Sequence, residues 1–324
     1  MPRPARIQYE DAFYHVMNRG SGRQKIFHGV KYYEAFLETL EESHSRFDAR
    51  IHAYCLMDNH YHLSVATPRA NLGRIMRHIN GVYTQRYNRL KRTDGPLFRG
   101  RYKAILIDED EYLLQLGRYI HRNPAEVKGA SEDKLRTFKW SSYLAYTNRA
   151  SVPSWLDRDL TYRMLGQKHR YAGYREYVGE GNSEEFLQFY SKGNVGSILG
   201  EKSFRESIKE REAEIRANGD LSQVLSARPE IEEIVTAVSA VFKSTPERIM
   251  NRHVGRQESN VPRQMAIYCC QHLGDQSMKR IAENFGFSHV GSVSPATAAI
   301  KKRLELGQLL KEYRKIEKLL NIIK

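Results

Sequence analysis

A chain of 324 residues with 40% hydrophobic content can bury at least one sizeable core, and a formal net charge of +14 favours polyanionic partners. No run approaches the roughly 18 apolar residues that span a bilayer, and Met1 to Arg6 lacks the apolar core of a secretory leader, so a cytoplasmic, nucleoid-associated protein without a membrane partner is expected. The cysteines, Cys55 and the adjacent Cys269 and Cys270, show no C-x-x-C spacing, which argues against a disulfide framework or a zinc finger.

In chain order, Phe13 to Met17 has strand character and ends in the turn material Asn18 to Gly22. Tyr33, Phe36, Leu37 and Leu40 recur at helical spacing and predict a helix over about 30–46. Two strands follow, about 49–56 and 60–66, meeting at the turn Asp58-Asn59. Leu72, Ile75, Met76, Ile79 and Val82-Tyr83 give a second helix over about 71–90, stopped by Thr93 to Pro96. Residues 98–107 read as a strand, and the acids Asp108 to Glu111 open a third helix that ends near Pro124, since the residue before a proline avoids helical geometry. The fold class is therefore α+β: a ferredoxin-like β-α-β-β-α-β domain with an additional helix.

Beyond Trp140 the pattern turns helical. The charge-rich residues from about Gly179 to Asn218 predict short helices and a connecting arm rather than a core, with a solvated helix over about 201–217. A second unit starts near Arg228-Pro229 with the stripe Ile231, Ile234, Val235, Val238 and Val241. Thr245-Pro246-Glu247 opens a helix, Val261 to Leu273 is the next, and Ser277 to Asn284, the turn Phe285-Gly286-Phe287 and a helix from Ser294-Pro295 form a helix-turn-helix pattern. Leu304 to Ile323 reads as one final helix. The expected division is 1–150 catalytic domain, 151–227 helical connection and 228–324 helical DNA-binding domain.

The chemistry starts from His60 and His62. Side chains alternate on a strand, so both imidazoles project from one face and make half of a metal site, although a histidine pair on a strand is more often an ordinary polar face. On the third helix Tyr119 and Asn123 are four residues apart and share a face. An amide oxygen added to two imidazoles suits Mg²⁺ or Mn²⁺ completed by water and phosphate oxygen, and a phenolate beside it could attack a phosphodiester in line. Tyr112 competes as nucleophile, His121 competes as ligand from another helical face, and Asn123 beside Pro124 could be merely a helix terminator; His15, His52 and His78 read as structural or phosphate-facing. From Arg69 to Lys103 ten Lys or Arg stand against one acid, Asp94, with Tyr83, Tyr87, Phe98 and Tyr102 interleaved. That mix suits phosphate neutralisation and base stacking, and it nominates Arg69, Arg74, Arg77, Arg86, Arg89, Arg99, Arg101 and Lys103 as DNA contacts.

His60-Tyr61-His62 followed by Tyr119-Ile120-His121-Arg122-Asn123-Pro124 resembles the single-tyrosine transposases with a histidine-hydrophobe-histidine motif, most closely the REP-associated tyrosine transposases; Leu97 to Ile105 and Trp140-Ser141-Ser142-Tyr143 add to the likeness, which covers about residues 8–147. The resemblance implies His60, His62 and Asn123 as ligands of Mg²⁺ or Mn²⁺, Tyr119 as nucleophile, and single-stranded hairpin DNA as substrate. It also implies a 5′-phosphotyrosine intermediate with a free 3′-hydroxyl, so that strand transfer needs no nucleotide cofactor. Monomeric and homodimeric sites both occur in this broad group. Val261 to Tyr268 and Met278 to Gly286 are similar to the C-terminal duplex-binding domain of the initiator DnaA over about residues 229–306, with His289 to Pro295 lengthening the turn. Ser292, Ser294, Thr297, Lys301 and Lys302 are candidates for contact with duplex DNA. The rival expectations are a non-catalytic DNA-binding regulator of palindromic elements and a nickase of the relaxase or replication type.

Overall fold

The structure, a computed structural model, describes residues 7–127, 131, 133–166, 170–191, 198–217, 229–251, 260–274, 276 and 278–320. Its contacts gather into two compact units, Met1–Ser226 and Ala227–Lys324.

In the first unit β1 (Ala12–Arg19), α1 (Val30–Phe47), β2 (Arg50–Met57), β3 (His60–Thr67), α2 (Leu72–Lys91) and β4 (Lys103–Ile107) follow the expected order. The sheet runs β2-β3-β1-β4 with every one of these neighbours antiparallel, the ferredoxin-like arrangement. A short β5 (Ile198–Leu199) extends it in parallel beside β4. Alternation along the strands sorts the side chains. Tyr14, Val16, Tyr61, Leu63 and Val65 join one core with the buried stripes of α1 and α2. Phe13, Ala53, Cys55, Ile105 and Ile107 join the other, against Tyr112, Leu113, Leu116 and Ile120 of α3 (Glu109–Arg122). A one-residue slip of β3 would carry Tyr61 and Leu63 off their core, so burial of those two side chains, about 1.5–3 kcal/mol for an aliphatic one, also fixes which way His60 and His62 face.

Two expectations change. The strand expected over 98–107 begins only at Lys103, because Gly100 turns the chain at φ +156°; the preceding residues form a loop pinned where Arg99 N–H donates to the Arg19 carbonyl. The stretch expected over about 179–218 as an arm rather than a core buries Phe186, Leu199 and Ile208 among its described residues, and the helices before it pack as well. After α4 (Asp133–Thr137) and α5 (Tyr143–Tyr146) come α6 (Asp159–Leu165), α7 (Arg170–Gly179), α8 (Glu184–Ser191) and α9 (Lys202–Ala217), which bury Tyr162, Tyr174, Val178, Phe186 and Ile208. Arg118 of α3 pairs with Glu180, and Arg122 donates to the Val178 carbonyl, which ties α7 and the turn after it to α3.

The second unit is helical: α10 (Ile231–Phe242), α11 (Pro246–Met250), α12 (Val261–His272), α13 (Met278–Asn284), α14 (Val293–Glu305) and α15 (Leu310–Leu319). A Glu230/Glu233 capping box opens α10, and Thr245 with Pro246 opens α11 as the sequence suggests. The lengthened turn before α14 holds a 3-10 turn at Val290–Ser292. Arg263 of α12 reaches the carbonyls of Ile249, Met250 and Phe285 and lies over the Phe285 and Phe287 rings, which fixes the bend after α13. The final helix expected over 304–323 begins only at Leu310, because Gly307 and Leu309 take positive φ and close α14 first; residues 321–323 of that expectation lie outside the described residues.

Candidate active site

β1 lies between β3 and β4, and its C-terminal end gathers the site. Arg19 is paired with His60, and Met17 with both His62 and Lys103. That register sets the histidine pair beside the basic loop before β4. The result is a cleft of about 880 Å³ lined by Met17, Asn18, Arg19, Arg23, Asn59, His60, His62 and residues 99–101 and 103. Its charged lining is Arg19, Arg23, Arg99, Arg101 and Lys103, with no carboxylate among them. Asn18 Nδ2 donates to the Gly100 carbonyl and holds the loop in place.

His60 donates from Nδ1 to Asn59 Oδ1 at 2.7 Å, since the amide oxygen can only accept. Its Nε2 therefore carries a lone pair. His62 Nδ1 lies 2.9 Å from His15 Nε2, and His15 Nδ1 lies 2.6 Å from Tyr190 Oη. Among the described residues no hydrogen-bond partner engages Nε2 of either His60 or His62. Burial lowers the pKa of both rings, helped by Arg19 at His60 and by His15 and His60 at His62, so both are neutral at physiological pH, the form in which imidazole ligates a metal. His15, fully buried, is pushed down to about 3 by desolvation and then by Lys103.

Tyr119 rises from α3 on the same side of the sheet. Its ring centroid is 5.9 Å from that of His62 and 5.8 Å from that of His15, edge-on to both, and it stacks on Tyr190 at 4.5 Å and 15°. Burial, with a smaller contribution from Glu126, raises its phenol pKa, so the resting form is protonated. The competitor Tyr112 is buried two turns earlier, and its hydroxyl donates to Glu185. His121 is held between Tyr174 Oη and Ser142 Oγ at 2.6 Å each, away from the cleft lining. Asn123 caps α3, and its Nδ2 donates to the Tyr119 carbonyl at 2.8 Å; it is not part of the cleft lining. Two imidazoles in the lining of one cleft, each without a hydrogen-bond partner at Nε2 among the described residues, fit a divalent cation as a partial donor set. Among the described residues no group of three or more His, Cys, Asp or Glu is arranged to hold one, so oxygen donors of another kind would have to complete it.

The nominated DNA contacts divide. Arg99, Arg101 and Lys103 line the cleft. Those on and before α2 lie on the opposite face of the sheet. Arg86 is bonded to Glu42, Thr39 and the Ala35 carbonyl; Arg69 pairs with Asp48; Arg74 lies over the Phe47 ring at 5.0 Å; Arg77 and Arg89 are exposed. Tyr83, Tyr87 and Tyr102, expected to stack on bases, are buried, and Phe98 packs against the same core. The amphipathic spacing of α2 places Tyr83 on its apolar side, and Tyr87, one turn on, follows it into the core. Sequence reasoning missed Arg19, Arg23, His15 in this role, and Tyr190. The first three follow once β1 is placed beside β3; Tyr190 carries no local signal.

In the second unit Lys302 is exposed and Lys301 half-buried on α14, Ser292 and Ser294 are exposed at its start, and Thr297 is buried with its hydroxyl donating to the Ser294 carbonyl.

Residues 8–123, which carry the sheet, the histidine pair and Tyr119, match the family described as "Transposase IS200 like". The first unit thus contains a stretch similar to the IS200-like transposases. Residues 231–300 match the family described as "Bacterial dnaA protein helix-turn-helix", so a DnaA-type helix-turn-helix follows it. Among solved structures the chain is similar to one described as "Structure of the REP associates tyrosine transposase bound to a REP hairpin", at 15% identity and a TM-score of 0.39, covering 50% of this chain and 94% of that one. No curated protein matches the chain. Among the described residues no helix is long and apolar enough to cross a membrane.

Proposed function

We propose that the first unit cleaves and transfers single-stranded DNA of the hairpin-forming, REP-type class, with Tyr119 as nucleophile. One observation carries this: His60, His62 and Tyr119 lie on one face of the sheet, beside a cleft whose five charged residues are all cationic. Cations packed at that density neutralise successive phosphates and align the strand. Tyr119 Oη forms a bond to phosphorus as the bond to the 3′ oxygen breaks; the phenol gives up its proton, and the leaving oxygen takes one up as a 3′-hydroxyl. The bond energy stays in the 5′-phosphotyrosine, ready for the reverse step on a second strand. His60 and His62, with the amide oxygen of Asn123 as third donor, would hold Mg²⁺ or Mn²⁺. A bound divalent ion supplies Lewis-acid polarisation of the phosphoryl oxygens. The second unit, on this reading, adds affinity for duplex DNA through α14, with Lys301 and Lys302 at the phosphates.

A second reading, a DNA-binding regulator that does not cleave, is favoured by the cover over Tyr119, which Tyr190 and Phe186 flank at 4.5 Å and 5.5 Å. One assay separates the two. Labelled hairpin DNA with Mn²⁺ is expected to give a covalent adduct with the wild type and none with Tyr119→Phe. The pair His60→Ala/His62→Ala should abolish cleavage while keeping hairpin affinity within about threefold, because the cations supply the binding. Binding without any adduct in the wild type would establish the regulator reading.

A further inference from the structure

The segment beyond the IS200-like match contributes one group to the site that neither the matched family region nor the sequence pattern marks. Tyr190, at the end of α8, meets both halves of the site at once. Its hydroxyl is 2.6 Å from His15 Nδ1, His15 Nε2 is 2.9 Å from His62 Nδ1, and its ring is stacked on Tyr119. All three links are shielded: His15 is 0% exposed, His62 is 6% exposed, and Phe186 backs the two tyrosines.

The chain Tyr190–His15–His62 can carry its protons in only two neutral arrangements, because each ring nitrogen either donates or accepts. If Tyr190 donates to His15 Nδ1, then His15 Nε2–H donates to His62 Nδ1 and the remaining proton of His62 blocks Nε2. If Tyr190 accepts, His15 Nδ1–H donates to it, His62 Nδ1–H donates to His15 Nε2, and His62 Nε2 is left as a lone pair in the cleft. The far end of the chain therefore sets the state of the near end. We propose that Tyr190 is a positioning residue of the strand-transfer site: its hydroxyl accepts from His15 and so fixes the His62 tautomer that turns an open Nε2 to the cleft, while its ring holds Tyr119 against the histidines. The inference rests on the reading of His62 as a ligand and Tyr119 as nucleophile. A partner that locks the tautomer of a ligating histidine is worth about 10–100-fold in metal affinity, and a phenol offers an aromatic plate as well as a hydroxyl.

The test uses the full chain labelled with ¹⁵N-histidine and free of metal, with long-range ¹H–¹⁵N correlations reading the ring tautomers. Wild-type His62 is expected in the Nδ1–H form. Tyr190→Phe keeps ring and volume but loses the hydroxyl; His62 should become a mixture of tautomers, and the dissociation constant for Mn²⁺ alone, measured by titration calorimetry, should rise about tenfold. Tyr190→Leu, lacking the plate, should in addition lower kcat for adduct formation with KM for hairpin DNA unchanged. An Nε2–H tautomer in the wild type, or the same tautomer and Mn²⁺ affinity in Tyr190→Phe, would overturn the proposal. A Tyr119→Phe protein that still forms the adduct removes the nucleophile reading instead, and leaves the tautomer measurement to decide the role of Tyr190 by itself.

Discussion

Arg86 on α2 and Arg99 or Arg101 in the loop before β4 belong to one cationic stretch, yet the fold gives them opposite work. Arg86 is folded against α1, where Thr39 Oγ1 at 2.6 Å and Glu42 at 2.7 Å take up its donors. Arg99 and Arg101 are exposed, with cations and histidines for neighbours. The difference comes from topology: α2 covers the sheet face opposite the histidines, whereas the loop ends where β4 joins β1. Charge density along a chain reports that a polyanion is expected. Strand order and register decide which charges meet it.

That contrast can be broken at several points. Arg99→Ala/Arg101→Ala should weaken hairpin binding roughly tenfold and reduce the slope of log affinity against log salt by about 1.4, the share of two contacts to a single strand, without lowering the unfolding midpoint. Arg77→Ala/Arg89→Ala, on the exposed side of α2, should leave affinity within about twofold in the same titration. Arg86→Ala should behave in reverse. It removes the cation from Glu42 and Thr39, which keep His78 and the Ala35 carbonyl as partners, and with the pair about a quarter to a third exposed the loss of stability in urea should be about 1 kcal/mol, with DNA affinity unchanged for the folded protein. A large DNA defect in Arg86→Ala would erase the division between the two groups.

A smaller effect tests the packing behind α3. Burial pushes the His121 pKa down to about 3, well below its unfolded value near 6.5, so the native state keeps it neutral while the unfolded chain takes up a proton. The contribution is fully present above about pH 6.5 and is lost progressively as pH falls towards 3. Against His121→Gln, the wild type should show its greatest stability advantage near pH 7, and urea midpoints should converge towards pH 4. A difference that is constant with pH would mean that His121 is already charged in the native protein.

Much of the fold is legible in the sequence because its signals are local. Alternation at residues 13–17 and 60–66, the helical stripe of α2 and the Asp58-Asn59 turn give the order of elements, and that order implies the sheet. The same alternation puts His60 and His62 on one face, and Tyr119 on a helix is readable from the motif beside Pro124. What is not legible is set by pairing across the chain. Arg19 enters the cleft only because β1 pairs with β3, and Tyr190 arrives from α8 by tertiary packing. The stretch that looked like an arm failed for the related reason that sparse apolar residues such as Phe186 and Ile208 carry no clear periodic signal among its charges, yet each fills a buried position. Gly307 also ends a helix that composition alone would continue.

The central claim is that Tyr119, and no other tyrosine near the histidines, forms the covalent bond. It is tested most directly by trapping the adduct on labelled hairpin DNA with Mn²⁺, digesting it, and locating the modified residue by mass spectrometry. The account predicts a single phosphonucleotidyl mark on Tyr119, absent in Tyr119→Phe. A mark on Tyr112 or Tyr190, or an undiminished adduct in Tyr119→Phe, would contradict it.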